Sequence, residues 1–219
     1  MDLLTGYLTA PRPIPTLSAA LASLHESGFP SPSSAHNDVA RAGNLRAFQR
    51  VAHELITLSC ATARNWILIF EDDVTWQPNS FARLCEIVHA QPRVFDDNPT
   101  YGVLSLHCTR KVSHYLELSN GSERGKLCGV YESRLGVNTW GAQALLFTRD
   151  SLYEVINSRL FSDRIRTHRT GLDSTIFGAL KELRLRAWYL LPCLARHTLG
   201  DTNSGLVNGI PHELRGCDY

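Results

Sequence analysis

The chain has 219 residues, 43% apolar and 20% charged, with 22 basic against 21 acidic side chains and a formal net charge of +1. That length suits one domain with a full core. The near-zero balance argues against a global field for nucleic acid or membrane and leaves only a local basic face open. No apolar run approaches the roughly 20 residues of a membrane span. The start, Met1 to Gly6, lacks the basic n-region of a secretory signal, so a cytoplasmic protein is expected. The six cysteines, Cys60, Cys85, Cys108, Cys128, Cys193 and Cys217, form no C-x-x-C pair. Free thiols are therefore expected, although the even count leaves a disulfide scheme formally open.

In chain order, Leu3 to Thr9 reads as a first strand that runs into a proline-rich loop, Ala10 to Pro15. Thr16 is expected to cap a helix over Leu17 to Glu26, ended by Gly28. Phe29 to Ser34 reads as loop. Asp38 to Ala63 carries a helical apolar stripe of Leu45, Phe48, Val51, Leu55 and Leu58, with Gly43 pointing to a true start at Asn44. Trp66 to Phe70 is a wholly apolar strand. A helix follows over Phe81 to Ala90, then a strand over Tyr101 to His107. Residues 109 to 135 are polar, with Asn120-Gly121 as a hairpin signal and Cys128 to Tyr131 as a possible short strand. Ala142 to Thr148 reads as a strand leading into a helix capped by Asp150 or Ser151. Phe161 to Thr170 looks basic and irregular. Leu172 to Leu183 reads as a helix with Asp173 or Ser174 at its start, Leu185 to Leu191 as a strand, and Ala195 to Tyr219 as a surface tail. The alternation of strands and helices predicts an α/β fold with a central mixed, mostly parallel sheet.

The most telling segment is the apolar strand that ends in acid, Glu71-Asp72-Asp73. Five apolar residues in a row fit a strand covered on both faces, and the carboxyl end of such a strand is where ligands bind in open α/β sheets. Crowded carboxylates repel one another unless a cation or donors compensate. A divalent metal that also holds phosphate oxygens would do so. An acidic turn capping the next helix is the plainer explanation.

The order of landmarks adds to this. Thr9-Ala10-Pro11-Arg12 is followed by Glu71-Asp72-Asp73, Thr139-Trp140-Gly141-Ala142, Gly171-Leu172-Asp173-Ser174 and Arg196-His197-Thr198-Leu199-Gly200-Asp201-Thr202. This order resembles the glycosyltransferases of the GT-A fold, whose D-x-D-type motif holds a divalent metal and a sugar nucleotide. Here the motif begins with Glu. The resemblance implies one GT-A-like domain over residues 1–219, with a donor-binding half to about residue 108 and an acceptor-binding half from 109. It implies a metal-dependent transfer from a nucleotide sugar, a UDP-sugar above all, to an acceptor hydroxyl, with Mn²⁺ or Mg²⁺ as cofactor.

By the same resemblance, Asp73, His197 and Glu71 hold the metal. Thr9, Ala10, Arg12, Asn44 and Asp72 hold the donor, with Arg46 beside Asn44, and Trp140 and Gly141 line the acceptor pocket. Asp173 is the base of an inverting reaction. The residue types suit these roles. A departing diphosphate needs a Lewis acid, and imidazole beside carboxylate favours Mn²⁺. A general base must face the acceptor. Plainer roles stand beside each: a helix cap for Asp173, a loop histidine for His197, core packing for Trp140.

The basic stretch of Arg159, Arg164, Arg166, His168 and Arg169 is either a solvated face or a surface for an anionic acceptor, such as phosphorylated glycan or modified DNA. Two other classes compete with the transferase. A Mg²⁺-dependent phosphohydrolase would want an acid at the end of the first strand, where Thr9 and Ala10 stand. A non-catalytic binder of nucleotide sugar or glycan would not need Glu71, Asp73, Asp173 and His197 together.

Overall fold

The computed structural model describes residues 1–9, 16–37, 44–95, 98–121, 128–133, 143–167 and 171–197. Its first part runs β1 (Leu3–Thr9), α1 (Leu17–Glu26), β2 (Ser34–Asn37), α2 (Asn44–Thr62), β3 (Trp66–Glu71), β4 (Val74–Trp76), α3 (Ser80–Ala90), α4 (Pro92–Phe95) and β5 (Tyr101–Ser105). Then come α5 (Arg110–Ser119), β6 (Gly129–Ser133), β7 (Ala144–Thr148), α6 (Arg149–Asn157), α7 (Arg159–Thr167), α8 (Leu172–Glu182), β8 (Arg186–Leu191) and β9 (Ala195–His197).

Seven strands form one sheet in the order β2-β1-β3-β7-β5-β8-β6. The parallel pairs β1–β2, β1–β3 and β5–β8, with β7 antiparallel to both β3 and β5, set five strands in one direction. Only β7 and the edge strand β6 run against them. The expected mixed, mostly parallel sheet is what the chain forms.

Both faces are covered, and the side chains of β3 show why its sequence is apolar throughout. Ile67 and Ile69 pack with Phe48, Val51 and Leu55 of α2, Leu152 of α6 and Ile176 of α8. Trp66, Leu68 and Phe70 pack on the other face with Leu24 of α1 and Leu84 of α3. Strand alternation feeds both cores at once. The layers are close where Gly6 of β1 meets α2. A Cβ at Gly6 would lie 2.7 Å from Val51 Cγ1 and 2.8 Å from Leu55 Cδ1.

Several expectations are corrected. The expected loop over Phe29 to Ser34 ends one residue early, because Ser34 opens the edge strand β2, Ser34–Asn37, formed by parallel pairing with Gly6 to Thr9. Asn120-Gly121 ends a helix and does not turn a hairpin: Asn120 Nδ2 donates to the Leu116 carbonyl at 2.8 Å, and Gly121 takes φ +63. The preceding α5 was hidden by its polar composition, although Val112 and Leu116 are buried and the Thr109 side chain accepts from the Val112 N–H. Residues 161 to 167 are helical within α7, which buries Phe161 and leaves its charges outside. The cap of α6 is Thr148, with Ser151 reciprocating in a capping box. The N-cap of α8 is Gly171, so Asp173 lies inside the first turn. The long helix is described from Asn44, and residues 38–43 lie outside the described residues. Of the expected tail, Ala195–His197 is a strand, and 198–219 lie outside the described residues.

The small β4–β9 pair carries the chain from the far end of β8 back to the tip of β3. It is antiparallel, with Val74 opposite His197 and Trp76 opposite Ala195. Leu194 and Ala195 both donate backbone N–H groups to the Leu106 carbonyl at 3.1 Å, and the Leu194 carbonyl accepts from Gln77 at 3.0 Å. The segment after β8 is thereby tied both to the end of β5 and to the start of α3.

Candidate functional site

The carboxyl ends of β1, β3, β5 and β8 share one edge of the sheet, and β7 begins there. Glu71 closes β3, and its N–H donates to the Gln143 carbonyl at 2.9 Å. The Asp72 N–H donates to the Leu8 carbonyl at 3.0 Å. Its carboxylate is held from the same strand, where Thr9 Oγ1 donates to Asp72 Oδ2 at 2.6 Å. A hydrogen bond to a charged acceptor is among the stronger kinds, so the orientation of Asp72 is fixed by β1. Asp72 and Asp73 are each only 2% exposed.

Asp73 is met by His197 across the β4–β9 ladder. His197 Nε2 lies 3.2 Å from Asp73 Oδ2, with the two side chains 8% and 2% exposed. A 124-residue gap in sequence closes here because Val74 and His197 are ladder partners. Beside them lies His107, 3% exposed, with Nδ1 3.3 Å from the Ala195 carbonyl and its ring centroid 6.4 Å from that of His197. Burial, the largest effect, pushes the His107 imidazole below its usual range, so it favours the neutral form.

The donor atoms of this pair fit a hard or borderline divalent cation. Two ligands set cis on an octahedral ion with bonds of about 2.1 Å stand about 3 Å apart, close to the observed Asp73–His197 spacing. Among the described residues no group of three or more His, Cys, Asp or Glu side chains is arranged to hold a metal ion.

The structure thus brings together Thr9, Glu71, Asp72, Asp73 and His197. Asn44 opens α2 with its side chain exposed. Asp173 belongs to another element. It is half-buried in the first turn of α8, one helical turn before Phe177, whose ring stacks on Tyr189 of β8 with centroids 6.3 Å apart. Ala10, Arg12, Trp140, Gly141, His168 and Arg169 lie outside the described residues. In α7, Arg159 and Arg166 both approach Asp163, at 3.8 and 3.1 Å, so part of the basic stretch is compensated locally.

Sequence reading missed His107 and Gln143. His107 had a usable signal, since it follows an apolar strand at its carboxyl end just as the acid tip does. Gln143 had none, because its place beside Glu71 depends on β7 running antiparallel to β3.

No family model matches the chain, and no curated protein matches it. Among solved structures it is similar to A197 from STIV, with 13% identity over 89% of this chain and 85% of that one and a TM-score of 0.51. The likeness to A197 is one of fold. Weaker likenesses include mouse xyloside xylosyltransferase 1 in its apo form, with 12% identity over 84% and 82% of the two chains and a TM-score of 0.38. A glycosyltransferase involved in the glycosylation of the major capsid of PBCV-1 is similar at 10% identity, with 86% and 93% coverage and a TM-score of 0.38.

Proposed function

We propose that this chain is a metal-dependent glycosyltransferase that moves a sugar from a nucleotide-sugar donor, a UDP-sugar first of all, to an acceptor hydroxyl with inversion. The observation that carries the reading is the buried Asp73–His197 pair, 3.2 Å apart, at the carboxyl end of β3. In this reading Asp73 and His197 hold Mn²⁺ or Mg²⁺, and Glu71, half-buried at the strand end, reaches it directly or through water. The ion supplies Lewis-acid neutralisation of the diphosphate. Asp72, locked by Thr9, takes the ribose, and Ala10, Arg12 and Asn44 complete the donor side. Trp140 and Gly141 line the acceptor side.

Asp173 accepts the proton of the acceptor hydroxyl. The acceptor oxygen then bonds to the anomeric carbon from the face opposite the diphosphate, which leaves with the electron pair of its own bond. Asp173 lies in the first turn of α8, two residues past the N-cap Gly171, which carries no side chain.

The donor half then lies largely within residues 1–108 and the acceptor half within 109–219, with His197 crossing back to complete the donor side.

The test is a panel of nucleotide sugars with and without Mn²⁺, read by thermal shift and by release of nucleotide diphosphate. One donor should stabilise the protein only with metal and lose its sugar. A panel with no metal-dependent binding would reject the reading.

A further inference from the structure

His197 reaches Asp73 from β9, a strand of three residues whose ladder partner among the described residues is β4. An isolated two-stranded ladder is at best marginally stable in water. The place of His197 therefore depends on what anchors β9 from outside that ladder. Ala195 supplies the anchor. It donates its N–H to the Leu106 carbonyl at 3.1 Å, and its own carbonyl lies 3.3 Å from His107 Nδ1. A carbonyl oxygen only accepts, so Nδ1 carries the proton of this bond. Consecutive residues beyond the end of β5 thus grip both backbone polar groups of Ala195. His107 is itself held firmly: it is buried, and its carbonyl accepts from Ser105 Oγ at 2.5 Å. Only Arg196 separates the gripped carbonyl from His197, so a shift at Ala195 is carried to the imidazole. The two histidine rings also lie side by side, with centroids 6.4 Å apart and planes at 50°. Among the described residues His107 does not join Asp73 and His197 in a group arranged to hold a metal ion.

We infer that His107 is a positioning residue for the metal-binding pair. By donating from Nδ1 to the Ala195 carbonyl, it sets β9 so that His197 Nε2 stands at ligand spacing from Asp73. This rests on the reading of Asp73 and His197 as the residues that hold the metal of the donor. It makes His107 govern Mn²⁺ affinity without ligating the ion.

The test measures Mn²⁺ binding to the whole protein, alone and with UDP, with the free ion read by electron paramagnetic resonance and the melting temperature recorded alongside. His107→Phe keeps a ring and removes the donor. His107→Asn removes the ring and keeps a donor, because its amide nitrogen is bonded to Cγ as Nδ1 is. His107→Phe should weaken Mn²⁺ binding about tenfold, the lower end of what loss of an outer support costs a metal site. His107→Asn should bind Mn²⁺ nearly as wild type does. In a His197→Ala background, His107→Phe should bring no further loss, as expected of a residue that acts through another. Should His107→Phe fail to fold, His107→Gln takes its place, since its amide nitrogen sits one bond further out than Nδ1. The inference is overturned if His107→Phe binds Mn²⁺ as wild type does, or if His107→Asn is as weak as His107→Phe. It is overturned too if the loss is as large in the His197→Ala background as in wild type, which marks general damage to packing. Wild type that binds no Mn²⁺ in either condition overturns the proposed function and this inference together, whereas a fault in the inference alone leaves wild-type binding intact.

Discussion

The tip of β3 and the first turn of α8 both carry carboxylates, but in different settings. At the tip, Asp72 and Asp73 are 2% exposed and are gripped from three distant segments, by Leu8 and Thr9, by Gln143 through the neighbouring Glu71, and by His197. On α8, Asp173 is half-buried beside an N-cap that offers no side chain. Fixed dipoles and charges work best when they need no reorganisation during reaction, and the diphosphate end of a donor is the same in every turnover. In the proposed reading the acceptor side admits and releases a variable molecule, and Asp173, the carboxylate assigned to it, is half-buried where Asp72 and Asp73 are enclosed.

The sharpest way to break this comparison is at Asp73. In wild type, donor plus Mn²⁺ at a hundredfold excess over Kd should add about 2.7 kcal/mol of apparent stability. Asp73→Ala should abolish that gain, and Asp73→Asn should do the same with the packing kept. His197→Ala should weaken it. Thermal shift with and without Mn²⁺ measures all three, and a full shift in Asp73→Ala would leave the tip as structure only.

The next largest effect is expected on α8. Asp173→Asn should cut turnover by about 10²–10⁴ while donor binding stays near wild type, the range for a lost general base. The N-cap of α8 is Gly171, so the substitution leaves the cap position itself unchanged. Near-normal turnover, or a product that keeps the anomeric configuration of the donor, would take Asp173 out of the mechanism.

Thr9→Val tests the grip on Asp72. It removes the 2.6 Å hydrogen bond to a buried carboxylate, and loss of such a charged hydrogen bond costs about 1.5–3 kcal/mol. Both stability and nucleotide affinity should fall, whereas the acceptor KM should not move. Calorimetric titration with nucleotide diphosphate and Mn²⁺ would show it, and unchanged affinity would make Asp72 a structural anchor.

The difference between the two regions was only half legible in the sequence. The acid tip could be read because one apolar run feeds both cores and then stops at three carboxylates, a local pattern. Strands β1, β5 and β8 and the long helix α2 could also be read from local apolar patterns. What joins Asp73 to His197 could not, because β4 and β9 are three residues each and exist only as each other's partner. Likewise β2 has no apolar pattern and forms by pairing with β1. Helices α5 and α7 were obscured because each buries few apolar side chains amid a polar surface, which weakens the periodic signal. His107 reads in the sequence simply as the close of an apolar strand. Only the tertiary packing shows that its ring reaches the Ala195 carbonyl.

The smallest effect expected on site chemistry concerns the seat of α8 alone. Gly102 of β5 lies under that helix, and a Cβ there would come within 2.5 Å of Leu180 Cδ2 and 2.6 Å of the Arg186 carbonyl. One of those neighbours is backbone of β8, so it cannot simply rotate away, and overpacking of this kind costs about 1–3 kcal/mol. Gly102→Ala touches neither Asp73 nor Asp173. It should lower the melting temperature and leave metal-dependent donor affinity at the β3 tip unchanged. Any kinetic loss should appear on the acceptor side, as a raised acceptor KM, because α8 carries Asp173. Melting curves with donor titrations measure the first pair of effects, and acceptor saturation curves the third. A fall in donor affinity equal to the rise in acceptor KM would mean that the two regions move as one, and that the division between a fixed donor side and an open acceptor side is wrong.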